Sequence, residues 1–161
     1  MFRIRAEYSE QLEVKTSLDR ARAFFGELRN FAELMPGIEN VKQEASGVIR
    51  WIVRAEMPVL GMMRAVFAVE QTDNRPERLE WSPAGSEQKN FLRYAAKFEA
   101  RDALSTLVHI TQRVEMRRQH ARELHLLAGF AGEHRISTEM QKRVTEMVKV
   151  FLERARAKLE S

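Results

Sequence analysis

The chain has no cysteine. That excludes disulfides, thiolate metal sites and a cysteine nucleophile together, and it suits a reducing compartment. No run of about 18 apolar residues occurs, so no transmembrane helix and no integral membrane association are expected. The first residues, Met1-Phe2-Arg3-Ile4-Arg5-Ala6-Glu7, lack the apolar stretch of a signal peptide. These features together point to the cytoplasm. Proline and glycine are scarce, 4 and 7 of 161 residues, and no linker, repeat or low-complexity tract is visible. Neither charge sign dominates: 27 basic and 23 acidic residues give a net charge of +4. The two signs are interspersed, as on an ordinary solvated surface, so a nucleic-acid partner is not expected. Gly-rich phosphate loops, nucleophile elbows and paired-carboxylate motifs are also missing. No catalytic residue, metal or cofactor is assigned.

The bulk numbers describe one globular domain over residues 1–161, with 44% hydrophobic and 31% charged residues, long enough to bury a core without staples. Phe2, Ile4, Ala6, Tyr8, Leu12 and Val14 share one parity, which predicts a long strand with one buried face. Ser17 reads as an N-cap for a helix carrying Leu18, Ala21, Phe24, Phe25 and Leu28. Asn30 and Glu33 read as a capping box for a second short helix, Phe31 to Met35, ended by Pro36-Gly37.

From residue 38 to about 118 the period is two. Ile38–Ala45, Ile49–Met57, Met63–Gln71, Leu79–Trp81, Leu92–Glu99 and Leu104–Met116 read as strands. Turn signals separate them, among them Ser46-Gly47, Pro58 to Gly61, Asp73 to Pro76 and Ser82 to Gly85. Such spacing predicts an antiparallel meander with one apolar and one charged face. Ala121 to Leu127 reads as one or two helical turns. Ser137 then reads as the N-cap of a long amphipathic helix with Met140, Val144, Met147, Val148, Phe151, Leu152, Ala155 and Leu159 on one face.

The predicted architecture is α+β: a curved seven-stranded antiparallel sheet wrapped around a long C-terminal helix, with two short helices between the first and second strands. A sheet that grips one helix leaves space between them, a natural ligand cavity. The order of elements, with Leu18-Asp19-Arg20-Ala21-Arg22-Ala23-Phe24-Phe25 and Phe31-Ala32-Glu33-Leu34-Met35-Pro36-Gly37-Ile38, resembles the START/SRPBCC superfamily of helix-grip, polyketide cyclase/dehydrase-like proteins. The resemblance implies binding of a hydrophobic or amphipathic small molecule such as a lipid, quinone or polyketide-like compound. Two alternatives stay open: a cyclase/dehydrase-like enzyme, and a protein-interaction module of the same fold with a filled core.

Strand and helix parity supplies the expected lining: Trp51, Val53, Met57, Met63, Phe67, Trp81, Tyr94, Phe98, Val108, Ile110, Gln112, Met116, Met140, Val144, Met147 and Phe151. Methionine and aromatic side chains suit an adaptable apolar pocket, and equally a solid core. The inward polar groups are Gln71, Tyr94, Thr106 and Gln112; they orient a ligand head group or satisfy one another. No Asp or Glu falls on the inner face. Arg117, Arg118, His120 and Arg122 form a basic cluster at the expected mouth, able to attract an anionic group, or simply a solvated turn. The segment His120 to His134 is longer than a direct connection requires. It either covers the cavity or is a packed connector. Its histidines, His120, His125 and His134, match no metal-ligand spacing.

Overall fold

The computed structural model describes residues 1–161. One antiparallel sheet has the spatial order β1-β7-β6-β5-β4-β3-β2. Its strands are β1 (Phe2–Val14), β2 (Ile38–Gln43), β3 (Ile49–Met57), β4 (Gly61–Arg75), β5 (Arg78–Pro83), β6 (Asn90–Asp102) and β7 (Ser105–Arg118). Helices α1 (Leu18–Gly26) and α2 (Leu28–Leu34) join β1 to β2. A 3-10 turn (Ala121–Glu123) and the short α3 (Ala128–Ala131) follow β7, and α4 (Glu133–Leu159) ends the chain. This is the helix-grip arrangement the periodicity predicts. No helix is long and apolar enough to cross a membrane.

Alternation sets the sheet's two faces. In β7, Thr106, Val108, Ile110, Gln112, Val114 and Met116 are all buried, while the intervening residues are half-buried or exposed. The opposite face carries ion pairs between strands, among them Arg93–Glu80 at 2.9 Å and Arg113–Glu7 at 3.0 Å. Exposed pairs of this kind contribute at most about 1 kcal/mol each.

The position of α4 is set by polar contacts as well as by its apolar stripe. β1 is an edge strand, and its outer N–H groups have no strand partner. Arg3 N–H donates to Glu133 Oε1 (2.5 Å), Arg5 N–H to Ser137 Oγ (3.2 Å) and Glu7 N–H to Gln141 Oε1 (2.8 Å). Gln141 Nε2 donates back to the Glu7 carbonyl at 2.7 Å. Helix residues four apart thus meet strand residues two apart, because rises of about 1.5 and 3.3 Å per residue nearly match over those steps. Further along, Arg156 donates to the Glu13 carbonyl (2.9 Å) and Glu160 accepts from Lys15 N–H (2.9 Å). The helix therefore seals this edge against foreign strands.

Several expected boundaries move. The second short helix spans Leu28–Leu34, not Phe31 to Met35; its N-cap is Glu27, whose carboxylate accepts from Arg29 N–H at 3.2 Å. Asn30 instead donates to the Phe24 carbonyl at 2.9 Å, tying α2 to the end of α1. Ser137 is not a cap: α4 begins at Glu133, and Ser137 serves the β1 edge. Ser17 does cap α1, accepting from Arg20 N–H. Gln71 is exposed beside an irregularity in the β4–β5 register between Gln71 and Asp73, and β4 continues to Arg75 instead of turning at Asp73. Leu104 lies in the β6–β7 turn and is also exposed.

Candidate functional site

The core between sheet and α4 has two unlike halves. At one end α1 and α2 plug the sheet with aromatic side chains. Phe31 stacks on Phe151 at 4.7 Å, meets Tyr94 edge-on at 4.9 Å and touches Trp51 at 5.0 Å. Phe25 packs on Phe98 and Phe151 at 6.1 and 6.0 Å. This half is solid.

At the other end, towards the β3–β4 hairpin and the first half of α4, no helix fills the space. A cavity of about 80 Å³ lies there. Met140, Arg143, Val144 and Met147 reach it from a single face of α4, at spacings of three and four residues. Trp51, Val53, Ala55 and Met57 line it from β3, and Met63, Ala65 and Phe67 from β4. Gln112, Val114 and Met116 of β7 complete the wall with Leu92, Ile4 and Ile38. Of the chain's 8 methionines, five line this space. Unbranched thioether side chains repack at low cost, so the wall is adaptable.

Ten of the expected lining residues meet at this cavity: Trp51, Val53, Met57, Met63, Phe67, Gln112, Met116, Met140, Val144 and Met147. The other six need correction. Trp81, Tyr94, Phe98, Val108, Ile110 and Phe151 are buried, but in the plugged half, where α1 and α2 occupy the space the bare sheet would leave. Ile4, Ile38, Ala55, Ala65, Leu92 and Val114 line the cavity without having been expected there, although strand parity already turned all of them but Ile38 inward.

The basic cluster does not form a mouth. Arg117, Arg118, His120 and Arg122 are not in the cavity wall. Arg117 stacks over Phe91 at 4.4 Å and pairs with Glu115. Arg118 donates to the Arg117 and Lys89 carbonyls, at 2.8 and 3.3 Å. Burial pushes the Arg118 pKa down, and Glu123 and Glu87 partly offset that. His120 and Arg122 are exposed. The long connector likewise contributes nothing to the cavity wall. It packs through small Ala128 and turns Leu126 and Phe130 outward, 81% and 90% exposed.

Two hydrophilic side chains reach the cavity. Gln112 is 6% exposed. Its Oε1 is enclosed without a hydrogen-bond partner. Gln112 lies beside Tyr94 and Tyr8 in the sheet register. Even so, the Tyr94 hydroxyl is also unpartnered, so the two do not satisfy each other. Burial alone drives the Tyr94 pKa well above its ordinary value. Thr106, the remaining inward polar residue, donates to the Thr16 carbonyl at 2.9 Å. The second hydrophilic group is Arg143, which helical periodicity assigned to the solvent side of α4. Its chain crosses the stripe boundary, with about a third of the side chain exposed. The signal for it was its place three residues after Met140 and four before Met147, at the edge of the apolar stripe.

No protein-family model matches this chain, and no curated protein matches it in sequence. Solved structures match it by shape. The START superfamily protein from Mycobacterium smegmatis superposes with a TM-score of 0.62 at 13% identity, over 96% of this chain and 97% of that one. The Zhui aromatase/cyclase from a Streptomyces species gives 0.61 at 12% identity, over 94% and 93%. The di-domain ARO/CYC StfQ from the steffimycin biosynthetic pathway gives 0.64 at 10% identity, covering 98% of this chain. This chain spans about half, 51%, of the length of that di-domain protein. The fold is therefore START/SRPBCC-like.

Proposed function

We propose that this chain, as a single START-like domain over residues 1–161, binds a hydrophobic or amphipathic small molecule in the cavity between β3, β4, β7 and α4. The observation that carries the reading is the wall itself: 15 of 17 lining residues are hydrophobic, and the remaining two are Gln112 and Arg143. An apolar space with a few polar groups to fix orientation is the usual form of a small-molecule site. The structural neighbours support the same reading, since they include a START superfamily protein and an aromatase/cyclase.

The present volume of about 80 Å³ is below the ~300 Å³ at which ligand pockets ordinarily begin. Binding a lipid, quinone or polyketide-like molecule thus requires the wall to open. Met57, Met63, Met116, Met140 and Met147 supply that freedom through side-chain rotation, without moving the sheet. The plugged half stays fixed and sets the depth of entry.

Binding is favoured over catalysis by the chemistry of the wall. A cyclase needs a group that passes protons near neutral pH. Arg143 is the one ionisable lining residue, and a guanidinium keeps its proton. The test is native mass spectrometry of the protein purified from its own host. A co-purifying small molecule, released on denaturation, is the expected result. No bound molecule, together with a crystal structure in which the cavity is closed by its own side chains, would overturn the reading.

A further inference from the structure

The proposed binding site carries one charged group, and its sign and geometry specify more than apolar contact. We infer that the ligand is an acidic amphiphile whose carboxylate, or similarly flat anionic head, is held by Arg143 at the wall while its tail enters the methionine-lined space. This rests on the binding reading above and narrows its ligand class.

Three observations carry it. First, Arg143 contributes to the wall and no carboxylate does. Second, the guanidinium is only partly committed. Its Nη1 donates to Glu146 Oε2 at 3.3 Å, one helical turn on and at the long end for a charge-assisted bond. Its Nε is buried with no partner, and Nη2 makes no hydrogen bond. The Nε–Nη2 edge is the fork that receives both oxygens of a carboxylate in parallel. A buried donor without an acceptor is costly, so an anion placed there gains more than it would at an exposed arginine. Third, Gln112 shares the wall and has no hydrogen-bond partner, so its amide is free to turn a donor to the same head group. The nearby carboxylates on the helix are Glu146, which holds Nη1, and Glu139, four residues before Arg143. Glu139 pairs with Arg135 through Oε1 at 3.8 Å; its buried Oε2 has no hydrogen-bond partner, so it makes no bond to Arg143 and the Nε–Nη2 edge stays uncommitted.

A matched pair of probes tests this: dodecanoate and dodecan-1-ol, equal in chain length and different in charge, measured by calorimetry on the full chain. A charge-assisted pair of this kind corresponds to about ten- to a hundredfold tighter binding of dodecanoate. Arg143→Gln should bring dodecanoate down to about the level of the alcohol, a loss far larger than any change in the alcohol's own affinity. Arg143→Lys, a point charge without the fork, should fall between. Circular dichroism melting of both variants controls for folding. If the alcohol binds as tightly as the acid, or R143Q leaves the acid's affinity intact, the inference fails and the binding reading survives. If neither probe binds, the inference fails too, and the native mass spectrometry above then decides the binding reading separately.

Discussion

Tyr94 looks from the sequence like the residue that would orient a ligand, and its surroundings make a sharp counter-prediction. It is 1% exposed, its ring sits against Phe31 and Trp81 at 4.9 and 5.4 Å, and its hydroxyl has no partner. Tyr94→Phe keeps the ring contacts and removes only the unsatisfied group. Leaving a buried hydroxyl unpaired costs about 1–3 kcal/mol. The small void left behind offsets part of that, so Y94F should be more stable than the parent by about 1 kcal/mol at neutral pH.

The pH dependence gives a second, independent arm. Burial raises the Tyr94 pKa well above 10.0 in the folded chain. Above about pH 10 the unfolded chain releases this proton and the folded chain keeps it, so the parent loses about 1.4 kcal/mol per pH unit until the folded pKa is reached. Phenylalanine has no such proton. The advantage of Y94F should therefore widen by about 1.4 kcal/mol between neutral pH and about pH 11. Tyr8, the other tyrosine, titrates in both proteins and cancels. Urea unfolding followed by circular dichroism at the two pH values measures both arms. A variant less stable than its parent at neutral pH, or a gap that does not change with pH, would refute the assignment of Tyr94 to the dry half of the core. Dodecanoate affinity should be unchanged in Y94F, because Tyr94 is outside the cavity wall.

Ala55→Leu adds a side chain to the cavity wall; dodecanoate binding should fall at least about tenfold while the melting temperature holds or rises. Gln141→Ala removes both bonds to the Glu7 backbone. It should cost about 1–2 kcal/mol and speed hydrogen exchange at the Glu7 amide above that of its neighbours. Gly37→Ala should cost about 1–3 kcal/mol in a urea titration. Gly37 sits at φ +86°, and an added Cβ would meet the Arg54 carbonyl oxygen at 2.7 Å.

The sheet was legible because each strand carries one parity over many residues. Thirteen residues of β1 and fourteen of β7 leave little doubt about face. Element ends were less legible, because several polar residues there have long-range partners. Ser137 has the chemistry of an N-cap, and Asn30 and Glu33 have that of a capping box. Ser137 instead meets the edge of β1, more than a hundred residues away, and Asn30 meets the last turn of α1, so neither finds its partner within its own helix. Cavity membership failed for a related reason. Parity separates inner from outer residues, but it does not say which part of the inner face a neighbouring element fills. Trp51 and Tyr94 are both inward aromatic residues on the sheet, and only Trp51 reaches the cavity.

What divides the inner face is the seat of α4, and that seat comes from polar residues which hydrophobic patterning ignores. Glu133, Ser137 and Gln141 bind the outer edge of β1 and draw the first half of the helix to that side of the sheet. The opposite side, where β3 and β4 curl, then stands away from the helix. Because α1 and α2 fill only one end, the gap survives only beside Met140, Arg143, Val144 and Met147. The same seating turns Arg143 from a surface residue into part of the wall, since the helix is held at β1 and its Arg143 flank is left facing the gap. The charge at the site is thus a consequence of edge capping by residues ten, six and two positions earlier in the helix. Weakening that capping, as in Gln141→Ala, should lower dodecanoate affinity more than dodecan-1-ol affinity, because it loosens the position of the guanidinium and leaves the methionine wall in place. Equal losses for the two probes would mean that the edge contacts support the cavity as a whole and do not position Arg143.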